Sequence, residues 1–267
     1  MRNYALWVGA FLVWICLFSL YSPSALAESI TFSGTGTDGG ASLGASAIFQ
    51  ITGDVLSITL SNTATNDNNG SGWDVSGHTL TGLFFDFPDN PVFAPVSASV
   101  APGSTLVQFD TCSPGPCLST TTNVGGEFYF SFGHETLLAE FGIASSGYIG
   151  GSNPTFGGPN LDDPAGSGDG INFGLISEDN IFNPNGGLAN DPLIRHSVIL
   201  ELSGADGLSV FDISNVSFQY GTDLTEYNLE GTPGNPIPEP TTILLLGSGI
   251  AGLWGWRYLK RKGEGNP

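Results

Sequence analysis

Asp54-Val55-Leu56-Ser57-Ile58-Thr59-Leu60 places Leu56, Ile58 and Leu60 at every second position, with Ser57 and Thr59 between them. A period of two puts the three apolar side chains on one face of an extended chain and the hydroxyls on the other, the signature of a strand buried on one side. The pattern recurs. In Glu127-Phe128-Tyr129-Phe130-Ser131-Phe132 the three phenylalanines share a face, and His196-Ser197-Val198-Ile199-Leu200-Glu201-Leu202 and Asn215-Val216-Ser217-Phe218-Gln219-Tyr220 alternate in the same way. Further candidates at 30–32, 45–51, 80–87, 105–110 and 171–176 bring the expectation to about nine or ten short strands. Clusters of Gly, Pro, Asn and Asp separate them, and between the two termini only residues 134–141 read as a short helix. The expected fold is all-β: one β-sandwich of the jelly-roll type over residues 28–230. Residues 145–170, rich in glycine and without periodicity, are expected to form a surface loop or insertion, and 231–236 a linker.

Charge is distributed unevenly along the chain. Of 25 acidic side chains only Glu239 and Glu264 lie beyond Pro238, and of six basic ones only Arg195 lies between Glu28 and Pro238. The body therefore carries 23 negative and one positive side chain, a net of −22 with histidines neutral. Nucleic acid is excluded as a partner, because binding phosphate requires basic side chains that release counterions. Such a body repels itself and anionic polysaccharide unless cations screen or bridge it, and its simplest role is solubility in an extracellular matrix.

The first 27 residues read as a signal peptide. Arg2 supplies the positive charge, residues 4–20 the apolar run, and Ala25-Leu26-Ala27 the small-residue site at which signal peptidase cuts before Glu28. Cys16 leaves with it, and bulky Ile15 rules out a lipoprotein site. Left uncut, the run is a membrane anchor.

The other end has three contiguous parts: Ile237-Pro238-Glu239-Pro240, an apolar run over 243–256, and the basic residues Arg257, Lys260, Arg261 and Lys262. As a helix, residues 241–259 measure about 28 Å at ~1.5 Å per residue, just enough for a hydrocarbon core of roughly 30 Å. Trp254, Trp256 and Tyr258 suit the headgroup level, and the basic cluster with the tail 263–267 stays in the cytoplasm, which leaves the body outside. Pro238 and Pro240 each lack a backbone donor and force extended geometry on their neighbours, so the strip before the helix is an accessible protease substrate. An ordinary single-pass anchor with a proline-rich linker is the alternative.

These three parts, over residues 237–262, resemble the PEP-CTERM sorting signal of exosortase substrates, with Ile237 where that family more often has Val. The resemblance implies that an exosortase, a membrane-embedded cysteine transpeptidase-like enzyme, cuts near Pro238-Glu239-Pro240. It also implies an inner-membrane precursor in a Gram-negative bacterium, and a product released or transferred to the cell surface or exopolysaccharide matrix. Three phrases of the body, at 79–86, 169–175 and 213–221, resemble those of exosortase-dependent surface proteins, and bring no catalytic residues with them.

Cys112 and Cys117 remain after export. The Pro114-Gly115 turn between them and an oxidising envelope predict a disulfide, worth only about 2 kcal/mol for so short a loop. Four intervening residues is not the C-x-x-C spacing of a redox pair, and a zinc site would need two further ligands that no finger spacing supplies.

For catalysis the sequence offers parts without a constellation. His78, His134 and His196 stand far apart, and Glu127, Glu135 and Glu140 are the candidates for a carboxylate pair of the kind glycoside hydrolysis needs. His134-Glu135 opens like H-E-x-x-H, but Leu138 occupies the second histidine position. Residues 65–70 end like a calcium loop yet lack its first acid, while Asp162, Asp163 and Asp169 are candidate calcium ligands in an open loop. Trp73 beside Asp74 is a candidate platform for a sugar ring. The favoured reading is a non-enzymatic, exosortase-processed surface or matrix protein with no cofactor. A calcium-assisted glycan-binding module is the first alternative, and a secreted glycoside-active enzyme the second.

Overall fold

The computed structural model describes residues 28–65, 76–108, 117–119, 122–133, 138–145, 149–150, 153–154, 158–162, 171–178, 188 and 191–234. In chain order the strands begin with β1 (Glu28–Asp38), β2 (Ala41–Thr52), β3 (Val55–Asn62), β4 (Leu80–Asp86), β5 (Ala94–Val100), β6 (Thr105–Gln108) and β7 (Cys117–Ser119). There follow β8 (Tyr129–Phe132), β9 (Phe141–Ala144), β10 (Ile149–Gly150), β11 (Asn153–Pro154), β12 (Leu175–Ile176) and β13 (Leu193–Arg195). The last are β14 (Ser197–Ser203), β15 (Ser214–Tyr220), β16 (Asn228–Glu230) and β17 (Thr232–Pro233). Short 3-10 turns occupy Ser76–His78, Gly125–Glu127 and Val210–Asp212.

These strands form two main sheets. The first runs β17-β1-β2-β3-β14-β5. Its opening hairpin pairs Glu28 with Ile51 through to Asp38 with Ala41, closed by Gly39-Gly40, both at positive φ. That two-residue turn matches the right-handed twist of the strands, and only glycine adopts it without steric cost. The second sheet runs β16-β15-β4-β12-β13-β6-β7 and forks at β4, whose far edge pairs with β12 at Leu80 and with β9 from Gly82 to Phe85. Among the described residues every strand pair is antiparallel except β12 with β13.

The core lies between the sheets. Leu56, Ile58 and Leu60 are wholly buried while Ser57 and Thr59 are only half so, as the alternation requires. A line of rings crosses from one sheet to the other: Phe32 and Phe49 at 5.7 Å, Phe49 and Phe85 at 5.4 Å, Phe85 and Phe141 at 5.4 Å. Their edge-on and stacked contacts add to the burial of apolar area. β4 is buried on both faces, because Ala139, Ala144 and Tyr129 pack over Phe84 on the side away from the main core.

Several expectations require correction. Residues 127–132 are not one strand: Gly125–Glu127 turns in 3-10 form, Phe128 is extended but outside the ladder, β8 spans Tyr129–Phe132, and Phe132 is half exposed, stacked on Phe141 at 5.2 Å. Of 171–176 only Leu175–Ile176 is a strand, since Gly174 N–H bonds back to the Ile171 carbonyl in a turn with Phe173 at φ 58. In the expected helix 134–141, residues 134–137 lie outside the described residues, 138–140 form a bend and Phe141 opens β9. Within 145–170, read as loop, Ile149–Gly150 and Asn153–Pro154 pair as a short ladder. The expected linker 231–236 begins with a strand: Thr232 pairs with Ser33 and Pro233 with Phe32.

Candidate functional site

The sorting segment leaves the body from a defined place. β16 pairs with β15 of the second sheet and β17 with β1 of the first, so one extended segment passes between the two sheet edges at Gly231. Gly231 N–H donates to the Val216 carbonyl at 2.7 Å, and a Cβ there would stand 3.0 Å from both Cγ1 and O of Val216. A side chain there would make Val216 give by a few tenths of an ångström, so the close approach favours glycine. Gly234 N–H then donates to the Thr31 carbonyl at 2.7 Å. The beginning and the end of the body thus share one strand, with Glu28 opening β1 and Gly234 bonded three residues further along it.

At the opposite end of β1 the turn Ser76–His78 and the β15–β16 connection flank an open cleft of about 520 Å³, lined by Asp38, Gly77, Thr225, Glu226, Tyr227 and Asn228. His78, almost wholly buried, bonds through Nε2 to Asp38 Oδ2 at 3.1 Å. Tyr227 donates its hydroxyl to Asp38, and the bond and charge of that carboxylate raise the phenol pKa above its usual 10.0. Glu226 Oε2 accepts from the amides of Thr222 and Asp223. Asp223 in turn accepts from Thr225, backbone and side chain, which lowers its pKa below the usual 3.8.

A second cleft of about 330 Å³ gathers Asp86, Asp89, Glu140 and Asp212. Asp86 spends its oxygens on structure: Oδ1 accepts from the Glu140 amide at 2.7 Å and Oδ2 from Asn215 Nδ2 at 3.0 Å. Among the described residues no three His, Cys, Asp or Glu side chains stand together as a metal would need.

Of the residues singled out in the sequence, Asp162 is described and is half-buried; its Oδ2 accepts from Asn123 Nδ2 at 2.7 Å, tying two connections together. Asp163 and Asp169 lie outside the described residues, as do Trp73, Asp74, Ala25, Ala27, Cys112, and Pro238, Glu239, Pro240, Arg257, Lys260, Arg261 and Lys262. Cys117 opens β7. His196 sits at φ 86 between β13 and β14, its amide bonded to the Ile176 carbonyl and its carbonyl to the Asn62 amide, which is a corner of the fold. Glu127 and Glu140 are described and Glu135 is not. The cleft residues Asp38, Glu226 and Tyr227 carried no signal in the sequence, because they come from opposite ends of the body and no local motif contains them.

Among the described residues no helix is long and apolar enough to cross a membrane; residues 241–259 lie outside them. A search of curated proteins finds no match to the chain. A family model for the PEP-CTERM protein-sorting motif matches residues 236–262. That match covers the proline strip, the apolar run and the basic cluster together, with the folded body placed immediately before it. The chain therefore ends in a PEP-CTERM protein-sorting motif, which supports an exosortase-targeted, exported protein made as a membrane-anchored precursor.

Proposed function

We propose that this is a cell-surface or exopolysaccharide-matrix protein without catalytic activity, exported with a signal peptide cut after Ala27, held in the inner membrane by 241–259, and released or transferred by an exosortase. The observation that carries the reading is the sorting motif at 236–262, directly after an all-β body with a net charge of −22. A span of roughly 28 Å suits temporary holding better than permanent anchorage. The two sheets then form one jelly-roll-like sandwich that stands outside the cell, with Cys112 and Cys117 joined as a disulfide in the oxidising envelope. The non-catalytic part of the reading is supported by where the polar groups go. Asp86 ties β4 to its neighbours and Glu201 accepts from Ser97 at 2.7 Å, so these side chains serve the fold.

The mass of the surface or secreted form tests it. The expected product begins at Glu28 and ends near Pro238-Glu239-Pro240, and alanine at Pro238, Glu239 and Pro240 traps the full-length chain in the inner membrane. An intact end at Pro267 in the surface form would show a plain anchor instead.

A further inference from the structure

The cleft beside Tyr227 has the make-up of a ligand site. Its volume, about 520 Å³, falls within the roughly 300–1,000 Å³ of small-molecule sites. Tyr227 is 42% exposed, so much of its ring surface stands in water beside Asp38, which the buried His78 bonds through Nε2 at 3.1 Å. An exposed aromatic ring flanked by an anchored carboxylate is a surface on which an apolar face can stack. Glu226 is held by two backbone amides through Oε2. Its other oxygen lies 3.6 Å from where a Cβ on Gly77 would stand, so Gly77 borders that carboxylate in the cleft.

The lining also defines what binds. It offers two carboxylates and the side-chain oxygens of Thr225 and Asn228, whose donors are engaged with Asp223 and with Ser217 and Gln219, and no cation. With the net charge of −22 on the body, that rules against an anionic ligand. A neutral polyhydroxylated ring meets every feature: its C–H face stacks on an aromatic ring and its hydroxyls donate to carboxylates. We propose that the cleft between the β1–β2 hairpin tip and the β15–β16 connection binds a neutral saccharide segment, with Tyr227 as the stacking surface and Asp38 and Glu226 as hydroxyl acceptors. The proposal concerns the folded body alone and is independent of how the C-terminus is processed.

The test is native affinity electrophoresis of the full chain, solubilised in a polyoxyethylene detergent, through gels containing dextran, galactomannan, xyloglucan, hydroxyethylcellulose or alginate. Retardation is expected in at least one neutral gel and not in alginate. Tyr227→Ala should weaken it about tenfold or more, while Tyr227→Phe, which keeps the ring and loses the hydroxyl, should weaken it less. Gly77→Leu fills the cleft with Tyr227 intact and should weaken retardation to the same degree as Tyr227→Ala; its melting temperature confirms the fold and carries the test if Tyr227→Ala unfolds. Unchanged mobility in every neutral gel, equal retardation in alginate, or wild-type retardation of Gly77→Leu would each overturn the proposal.

Discussion

The hydroxyl of Tyr220 in β15 donates to the carbonyl of Gly44 in β2 at 2.8 Å and accepts from the amide of the same residue at 3.1 Å. One phenol thereby bridges the two sheets where β2 runs past the last residue of β3. The Gly44 carbonyl has a second donor in the Thr63 amide at 2.7 Å, whereas Tyr220 is the partner of its amide. Tyr220→Phe should therefore cost about 1–3 kcal/mol, the penalty for a buried donor left without an acceptor. Urea unfolding monitored by near-UV circular dichroism measures it, and a change below about 0.5 kcal/mol would show that water replaces the hydroxyl.

The charge on the body makes a second expectation. Its 23 carboxylates face one basic side chain, so salt should raise the melting temperature by screening their repulsion. Asp162, the described member of the candidate calcium set, is engaged with Asn123. Calcium chloride and sodium chloride at equal ionic strength should therefore give equal shifts in differential scanning calorimetry. An excess shift from calcium would assign Asp162, Asp163 and Asp169 the ligand role considered for them, since ligation is specific and screening is not.

The strands that were legible are those with a local pattern. Leu56, Ile58 and Leu60 alternate with hydroxyls, and the alternation alone decides which side is buried. β5 was not legible, because Ala94-Pro95-Val96-Ser97-Ala98-Ser99-Val100 is small, half polar and carries a proline. It is extended because β14 supplies its ladder from a hundred residues away, and no local propensity encodes that partner. Phe132 defeated the pattern differently: its neighbours on the face, Phe128 and Phe130, are buried, but β8 reaches the edge of the sheet before Phe132 can be covered. The sorting motif was fully legible because its proline strip, apolar run and basic cluster are contiguous. The Tyr227 cleft was invisible for the opposite reason, since the sheet edges bring Asp38 and Tyr227 together only after both sheets have formed.

The connection between β15 and β16 should respond to pH at both ends of the scale. The Asp223 pKa is lowered by its bonds to Thr225, so its contribution is present above the usual 3.8 and is lost as pH falls through the depressed value. The Tyr227 pKa is raised by Asp38, so that contribution is complete below the usual 10.0 and is lost as pH rises through the elevated value. Melting temperatures of Asp223→Asn should thus converge on those of wild type in acid, and those of Tyr227→Phe in alkali. Parallel offsets across the whole range would show that neither bond depends on the protonation state of its partner.

Where the exosortase cuts matters to the fold as well as to sorting. β16 and β17 close one side of the body as a single segment: Leu229 is buried in the core, Thr232 and Pro233 cover the edge of β1, and Gly234 bonds Thr31. An uncovered β1 edge would present unpaired donors and acceptors to any other strand. A product ending at Pro236 keeps all of these contacts, and one ending at Glu230 loses the β1 ladder and the Gly234 bond. The shorter product should be less stable by about 1–3 kcal/mol, at roughly 1 kcal/mol for each ladder bond lost, and should associate at high concentration through β1. Sedimentation velocity and thermal unfolding of the two forms provide the check. Equal stability and equal sedimentation would mean that β17 is an ornament of the edge, and that cleavage anywhere beyond Glu230 leaves the body intact.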